Sequence, residues 1–488
     1  MSTHVELRRG AYHDSVSLLQ VSRAVARTIG VEAAQVAMAT ELNVEVLTGM
    51  GFEVPAGAGP NDLVVALRAA DDHALAAGLA AVDDALAGLR DAGGGGGADT
   101  EVPPATLGSA VRRSGAGLAL VSVPGAHAVT EAYDALAAGA SVMLFSDNVG
   151  VEDEVALKDA AAAADLLVMG PDCGTALVGG VALGFANVVT PGAVGLVAAS
   201  GTGAQQLMSL LDDAGVGVSH CLGVGGRDLS AAVGGRSTRQ ALRAMAADPA
   251  TDTVLVVSKP PDAGVLAAVE AEATTLGLDV HWATLGAGRP DLTAAAEAFL
   301  AARGADVPTW RATVTDPDAE NLARGRSLRG LFCGGTLAQE AVLVAEPVLG
   351  PVRTDLDAAG EGHVVLDFGA DELTRGRAHP MIDPTLRTER LAAEAADPTC
   401  GVLLLDLVLG HGAHPDPAPE LADAVRDARA TAYADGRALP VVVALVGTAQ
   451  DPQDRDRCVS LLAGAGASVF ASNAAAARHA VALLGGAS

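Results

Sequence analysis

Two short turns in this chain carry residue types suited to holding an anion. The first is Ser200-Gly201-Thr202-Gly203, after the apolar run 194–198 and before a pattern with Leu207, Leu210 and Leu211 at helical spacing. The second is Gly334-Gly335-Thr336, after the apolar run 328–333 and before another apolar helix. A strand, a Gly-rich turn and a helix make an anion site because the first helical amides lack internal acceptors. The helix dipole adds positive potential there. Ser200, Thr202 and Thr336 add hydroxyls. The plain alternative is an ordinary turn with a Ser or Thr N-cap. With two such turns, the expectation is a phosphate or carboxylate held between two helix N-termini.

Other polar residues fall at strand ends or in tight turns. Arg227, in Gly225-Gly226-Arg227-Asp228, is expected to supply counter-charge with Asp228 orienting it, or else to be a solvated turn residue. Lys259 ends one apolar run and Asp147 and Asn148 end another. In a parallel sheet those ends face the ligand edge. Asp172 and Cys173 share a Gly-Pro turn. A Cys in such a turn can be a nucleophile, but no His is near in sequence, and a buried structural role is preferred. Arg377, His379, Asp383 and Arg387 form the densest polar cluster of the last third. Two arginines near one His suit a small carboxylate acceptor gripped bidentately, or a loop held by internal ion pairs. His411 and His414 have metal-compatible spacing but no third ligand in view, so no metal is expected.

Such residues need parallel strands and helices to position them. From residue 118 onward, apolar strand-length runs alternate with helical patterns, as in parallel sheets covered on both faces. The expected fold class is α/β, with several Rossmann- or flavodoxin-like parallel-sheet domains in tandem behind a small N-terminal α/β domain. The expected divisions are a small domain 1–92, a Gly/Pro linker 93–104, a Rossmann-like lobe 105–190, a flavodoxin-like lobe 191–310, a linker 311–327 and a second flavodoxin-like lobe 328–488. The last two lobes each open with strand, Gly-rich turn and helix, which suggests an internal duplication.

The net charge of −28 argues against nucleic acid, which needs a basic surface. An anionic substrate must then be compensated locally by helix ends and particular cations. Five scattered cysteines form no disulfide framework and point to a reducing, cytoplasmic setting. Residues 1–10 are polar, so no signal peptide is expected there. No apolar stretch is long enough to span a bilayer.

The succession Gly170-Pro171-Asp172-Cys173-Gly174-Thr175, Ala199-Ser200-Gly201-Thr202 and Gly223-Val224-Gly225-Gly226-Arg227-Asp228-Leu229 resembles the α-subunit of succinyl-CoA synthetase, where equivalent turns surround a phosphate pocket. Leu366-Asp367-Phe368-Gly369 and the run 404–410 resemble the carboxy-terminal domain of the β-subunit. Across almost the whole chain, Asp14-Ser15-Val16-Ser17-Leu18, the run 143–149, the 170–175 turn, Ser258-Lys259-Pro260-Pro261 and the run 377–387 resemble the FdrA family. That resemblance implies an acyl-CoA-synthetase-like subunit of oxamate carbamoyltransferase, interconverting oxalurate plus phosphate with oxamate plus carbamoyl phosphate in purine nitrogen catabolism.

The implied phosphate site is Ser200, Gly201, Thr202, Gly203, Gly334, Gly335 and Thr336. Arg227, Lys259, Arg377, His379 and Arg387 are the catalytic candidates, and Asp147, Asn148, Asp172, Cys173, Gly225 and Gly226 line the pocket. The implied partners are a small anionic substrate and other subunits of a hetero-oligomer. Catalysis would rest on positioning and electrostatics.

The chain departs from the synthetase pattern in three places. The stretch 282–288, matching its phosphohistidine loop, has no His, and His281 lies just before it as a core or edge residue. The CoA fingerprint loop and an ATP-grasp domain are missing, so carbamoyl phosphate or phosphate is the expected substrate and CoA and nucleotide stay open. The alternatives are an acyl-CoA ligase subunit that needs a separate nucleotide-binding chain, and a non-catalytic anion-binding assembly subunit.

Overall fold

In the computed structural model, residues 2–11, 13, 15–55, 57–93, 103–315, 325–355, 362–374 and 377–485 are described. The chain divides into two units, Met1–Pro103 with Gly376–Ala378, and Pro104–Arg375 with His379–Ser488.

The first unit runs β1 (Ser2–Arg8), α1 (Ser15–Ala26), β2 (Val31–Met38), α2 (Glu41–Gly49), β3 (Leu63–Ala69) and α3 (Asp72–Gly93). Its sheet is ordered β1-β3-β2 and is wholly antiparallel. Alternation along central β3 decides both faces. Leu63, Val65 and Leu67 join Leu18, Val21 and Val82 in one core, and Val64 and Ala66 join Leu47 and Phe52 in another. Helix α2, unforeseen from sequence, starts at a Thr40 cap whose side chain accepts from Asn43 N–H. Most of the expected 93–104 linker lies outside the described residues.

The second unit opens with α4 (Leu107–Ser114), β4 (Leu118–Val121), α5 (Gly125–Ala137), β5 (Ser141–Leu144), α6 (Val151–Ala163) and β6 (Val168–Met169), giving a parallel three-stranded sheet. The hairpin β7 (Thr175–Val178) and β8 (Val181–Gly184) leaves that lobe and joins the next sheet. There follow β9 (Pro191–Ala199), α7 (Gly201–Asp213), β10 (Val218–Gly223), α8 (Arg236–Ala247), β11 (Thr253–Ser258), α9 (Ala263–Leu276), β12 (Val280–Thr284) and α10 (Leu292–Ala302). The sheet order is β12-β11-β9-β10-β7-β8. The first lobe's sheet therefore ends well before residue 190, because Cys221 of β10 pairs antiparallel with Leu177.

The last lobe contains β13 (Ala312–Thr313), β14 (Ser327–Phe332), α11 (Gly335–Leu349), β15 (Val352–Arg353), β16 (His363–Asp367), α12 (Asp371–Thr374), α13 (Thr385–Ala396), β17 (Cys400–Val408), α14 (Ala418–Ala434), β18 (Val441–Val446), α15 (Arg455–Gly464), β19 (Ala467–Phe470) and α16 (Asn473–Gly485). Its order is β13-β19-β18-β17-β14-β16-β15. Part of the expected 311–327 linker is strand, since β13 pairs antiparallel with β19.

In both large sheets the first long strand, β9 or β14, lies between the second and third of its lobe, which is the flavodoxin-like order. Parallel strands covered on both faces read as apolar runs. β17 shows this with one exception, the buried Asp406.

Candidate functional site

Helix α7 starts where β9 ends. Ser200 is extended at its N-cap, and its Oγ accepts from Gly203 N–H at 2.9 Å. Helix α11 likewise starts directly after its strand β14, from an extended Gly334 that has no side chain to cap it. The two turns meet: Ser200 Oγ donates to Thr336 Oγ1 at 2.7 Å, and both side chains are buried. A Cβ on Gly334 would stand 2.8 Å from Thr202 Oγ1, and one on Gly203 would stand 3.1 Å from Thr336 Cγ2. Only glycines let the ends come this close. The amides of Gly201 and Thr202 on α7, and of Gly335, Thr336 and Leu337 on α11, have no acceptor among the described residues.

The second turn is held from below. Asp406 accepts from Cys333 N–H and Gly334 N–H, each at 2.8 Å. Arg387 Nη1 donates to the Asp406 carboxylate at 2.7 Å and to its carbonyl at 2.8 Å. Arg387 is buried, so it supports the turn and is not an open acceptor-binding fork. Arg377 is exposed and falls in the first unit, so within the second unit the expected two-arginine grip does not form. Asp383 turns inward to its own chain, accepting from Thr385 N–H and Oγ1.

Lys259, directly after β11, is exposed and has no hydrogen bond or ion pair among the described residues. Its Nζ lies 3.0 Å from where a Gly335 Cβ would be, and Asp367 Oδ2 crowds the same point. Asp367 ends β16, and its Oδ1 accepts from Gly369 N–H. Burial pushes its carboxyl up to about 6, opposed by Lys259 and reinforced by Asp406 and Asp371. Asp172 is exposed at the surface of the Gly-Pro turn, yet desolvation by the protein packed around it pushes its carboxyl up to about 7. Asp371 adds to that shift, Lys259 opposes it, and Asp147 and Asp367 add further. Asp371 is also raised, through burial and then Asp147. Asp147 accepts from Thr374 Oγ1 at 2.8 Å. Asp172, Asp367 and Asp371 thus lie within reach of the Lys259 ammonium beside the paired helix ends, and Arg227 adds a second positive charge near Asp371.

His379 borders the same group. Its ring lies 5.2 Å from that of Phe185, and its Nδ1 is placed to accept from Met381 N–H at 3.2 Å. Nε2 then carries the proton and lies 2.7 Å from where a Gly369 Cβ would be. Burial lowers this His to about 4, against Asp147 and with Arg387, so it is neutral near pH 7. Asn148 and Asp172 both adopt left-handed φ of 54°, unusual for residues with a side chain. Gly225, at φ 91°, packs against the Gly170-Pro171 backbone, and Gly226 lies beside Asp172.

Some sequence expectations need correction. Arg227 is oriented by Glu154 at 3.1 Å and by the Val149 carbonyl at 2.9 Å, not by Asp228. Asp228 is fully buried, accepting from Ser237 N–H, Thr238 N–H and Thr238 Oγ1 at the start of α8 and pairing with Lys158 at 2.7 Å. Cys173, expected to line the pocket, is instead buried in a core cluster, and burial pushes its thiol far above the ordinary range, which agrees with the preferred structural role. His281 sits on edge strand β12 against Phe299. Among the described residues no group of three His, Cys, Asp or Glu side chains is arranged for a metal.

Asp367, Asp371 and Asp406 were missed as site residues. Asp406 had a visible signal, a lone acid inside an apolar strand. Asp367 had one too, an acid at the end of an apolar run in the Leu366–Gly369 motif; Asp371 had none, since only the fold brings it to Lys259.

Comparison with known proteins supplies the family. The chain is 36% identical to the Uncharacterized protein YahF of Escherichia coli (strain K12) over 501 aligned positions, covering 96% of this chain and 95% of that one. The chain belongs to the YahF family. Residues 1–103 match the model described as AllF, heavy metal-associated domain, and residues 331–483 match CoA-ligase. Succinate--CoA ligase [ADP-forming] subunit alpha of Methanothermobacter thermautotrophicus is 26% identical over 143 residues, covering 29% of this chain and 47% of that subunit. Among solved structures, the dinucleotide-forming acetyl-coenzyme A synthetase 1 of Ca. Korarchaeum cryptofilum aligns over 75% of this chain and 82% of that one, with 16% identity and a TM-score of 0.29.

The residues of 1–103 do not fit a soft heavy-metal site. That stretch has no cysteine, and no ligand group assembles among the described residues. No helix among the described residues is long and apolar enough to cross a membrane.

Proposed function

We propose that this chain is an acyl-CoA-synthetase-like subunit that binds an acyl phosphate between the N-termini of α7 and α11 and passes the acyl group to an acceptor. The observation carrying this reading is the Ser200–Thr336 hydrogen bond, which brings two sets of unpaired helix amides together. The CoA-ligase match over 331–483 and the likeness to succinate--CoA ligase subunit alpha support it. The amides hold the phosphoryl oxygens, and Lys259 offsets the charge that grows on them. The acceptor attacks the acyl carbon, the C–O bond to phosphate breaks, and phosphate leaves. Asp172 takes the proton the acceptor loses, since a carboxyl near 7 exchanges protons readily at neutral pH. Neutral His379 offers Nε2–H to the acceptor.

A second reading is carbamoyl transfer, in which the acyl phosphate is carbamoyl phosphate and the acceptor is oxamate. It is favoured by the stretch 282–288, which has no His to carry a phosphoryl group, and by the FdrA resemblance. On either reading the chain works with other subunits in the cytoplasm, where its five free, buried cysteines stay reduced.

The test gives the purified chain, alone and with neighbouring gene products, acetyl phosphate with CoA, or carbamoyl phosphate with oxamate. Thioester formation supports the first reading and oxalurate formation the second. If no combination releases phosphate above the buffer rate, the chain is not an acyl-phosphate enzyme.

A further inference from the structure

Thr175 opens β7 directly after the Gly170–Gly174 turn, and its side chain is 1% exposed. Its Oγ1 is buried with no hydrogen-bond partner among the described residues. A buried hydroxyl without a partner is costly and uncommon, and it calls for an explanation such as a missing ligand. The atom sits beside the start of α7, 3.3 Å from where a Cβ on Gly201 would be. Gly201 carries one of the helix amides that also lack an acceptor. Two unsatisfied donors of different origin, a strand hydroxyl and a helix amide, therefore lie side by side. Neighbouring Ala176 belongs to the core cluster on the far side of the sheet, while Leu177 packs in the cluster that includes α7. Strand alternation thus puts Thr175 on the α7 side.

We infer that Thr175 is a specificity-determining residue of the anion site, its hydroxyl donating to one oxygen of a bound phosphoryl group. This rests on the proposal that an acyl phosphate binds between α7 and α11, and it narrows the class of anion. The amides of α7, the amides of α11, Lys259 in the loop after β11 and Thr175 at the start of β7 come from four separate stretches of the chain. Donors spread around a site in this way suit a tetrahedral anion with several oxygens. A planar carboxylate presents two oxygens in one plane and leaves at least one of these directions unfilled. Thr175 is therefore a reason for the site to prefer phosphate over carboxylate.

The experiment uses the full-length chain and isothermal titration with inorganic phosphate, and with acetate as the planar comparator, on wild type, Thr175→Val and Thr175→Ser. Valine keeps the shape and removes the hydroxyl. The expected result is about ten- to a hundredfold weaker phosphate binding for T175V, the loss of one hydrogen bond to a charged group. T175S should stay within about threefold of wild type, and acetate should bind weakly to all three. Without ligand, T175V should melt at or above the wild-type temperature, because it removes an unsatisfied group. Wild-type phosphate affinity in T175V overturns the inference and leaves the acyl-phosphate reading standing. A wild type that binds no phosphate overturns both. A lower melting temperature for T175V without ligand means that the hydroxyl has a structural partner, and also overturns the inference.

Discussion

Replacing Arg387 by Met separates a structural role for this residue from a substrate-binding one. Arg387 and Asp406 are both buried, and Nη1 makes two hydrogen bonds to Asp406 at 2.7 and 2.8 Å. The variant leaves the Asp406 carboxylate buried with only the amides of Cys333 and Gly334 to balance it. Breaking a buried pair in this way costs about 3–5 kcal/mol, most of it the penalty of the stranded charge. The double variant R387M/D406L should recover part of that loss, since no charge remains, but not all, since two buried amides lose their acceptor. Chemical denaturation of wild type, both single variants and the double variant measures the coupling. Titration of phosphate into each folded variant reads the effect on the α11 turn. The expected outcome is a large stability loss for R387M with phosphate affinity falling only as far as the Gly334 turn loosens. Unchanged stability with phosphate binding abolished would refute the reasoning and return Arg387 to the substrate.

Three further outcomes are expected. Asp172 has its carboxyl raised in the fold, so the unfolded chain ionises first and stability falls as pH rises from about 4 toward about 7. Asp172→Asn should flatten that decline in melting temperature and raise the melting point at pH 8; an unchanged pH profile would count against the raised carboxyl. Lys259→Gln should weaken phosphate binding about tenfold in calorimetry with little change in melting, because Lys259 is exposed and has no ion pair to lose. Gly335→Ala adds a methyl where Asp367 and Lys259 already crowd, so it should weaken phosphate binding although Ala is the better helix former; tighter binding in the same titration would show that the crowding is relieved without cost.

Much of the architecture was legible in the residues themselves. Parallel strands covered on both faces need continuous apolar runs, and a Gly-rich turn followed by helix-spaced apolar residues marks a helix start, capped by Ser200 on α7 and by Gly334 without a side chain on α11, so β9–α7 and β14–α11 could be read one at a time. Local pattern also carried the likeness of the two flavodoxin-like lobes, because each repeats the same opening of strand, Gly-rich turn and helix. The sequence said less about pairing across long separations. Ser200 and Thr336 are 136 positions apart, and their contact depends on how two lobes pack. The same holds for β7 and β8, which the sequence attaches to the first lobe and the sheet gives to the second. Charged residues were the least legible of all. Arg387 and Lys259 are both cations near Gly- or Pro-rich turns, yet one is buried against Asp406 and the other is exposed without an ion pair. A charge takes its role from the partner it finds and from how far water is removed, and both are properties of the packed chain. Residue type and spacing determined where helix ends and strand ends would lie; the tertiary structure alone decided which donors there were left without partners.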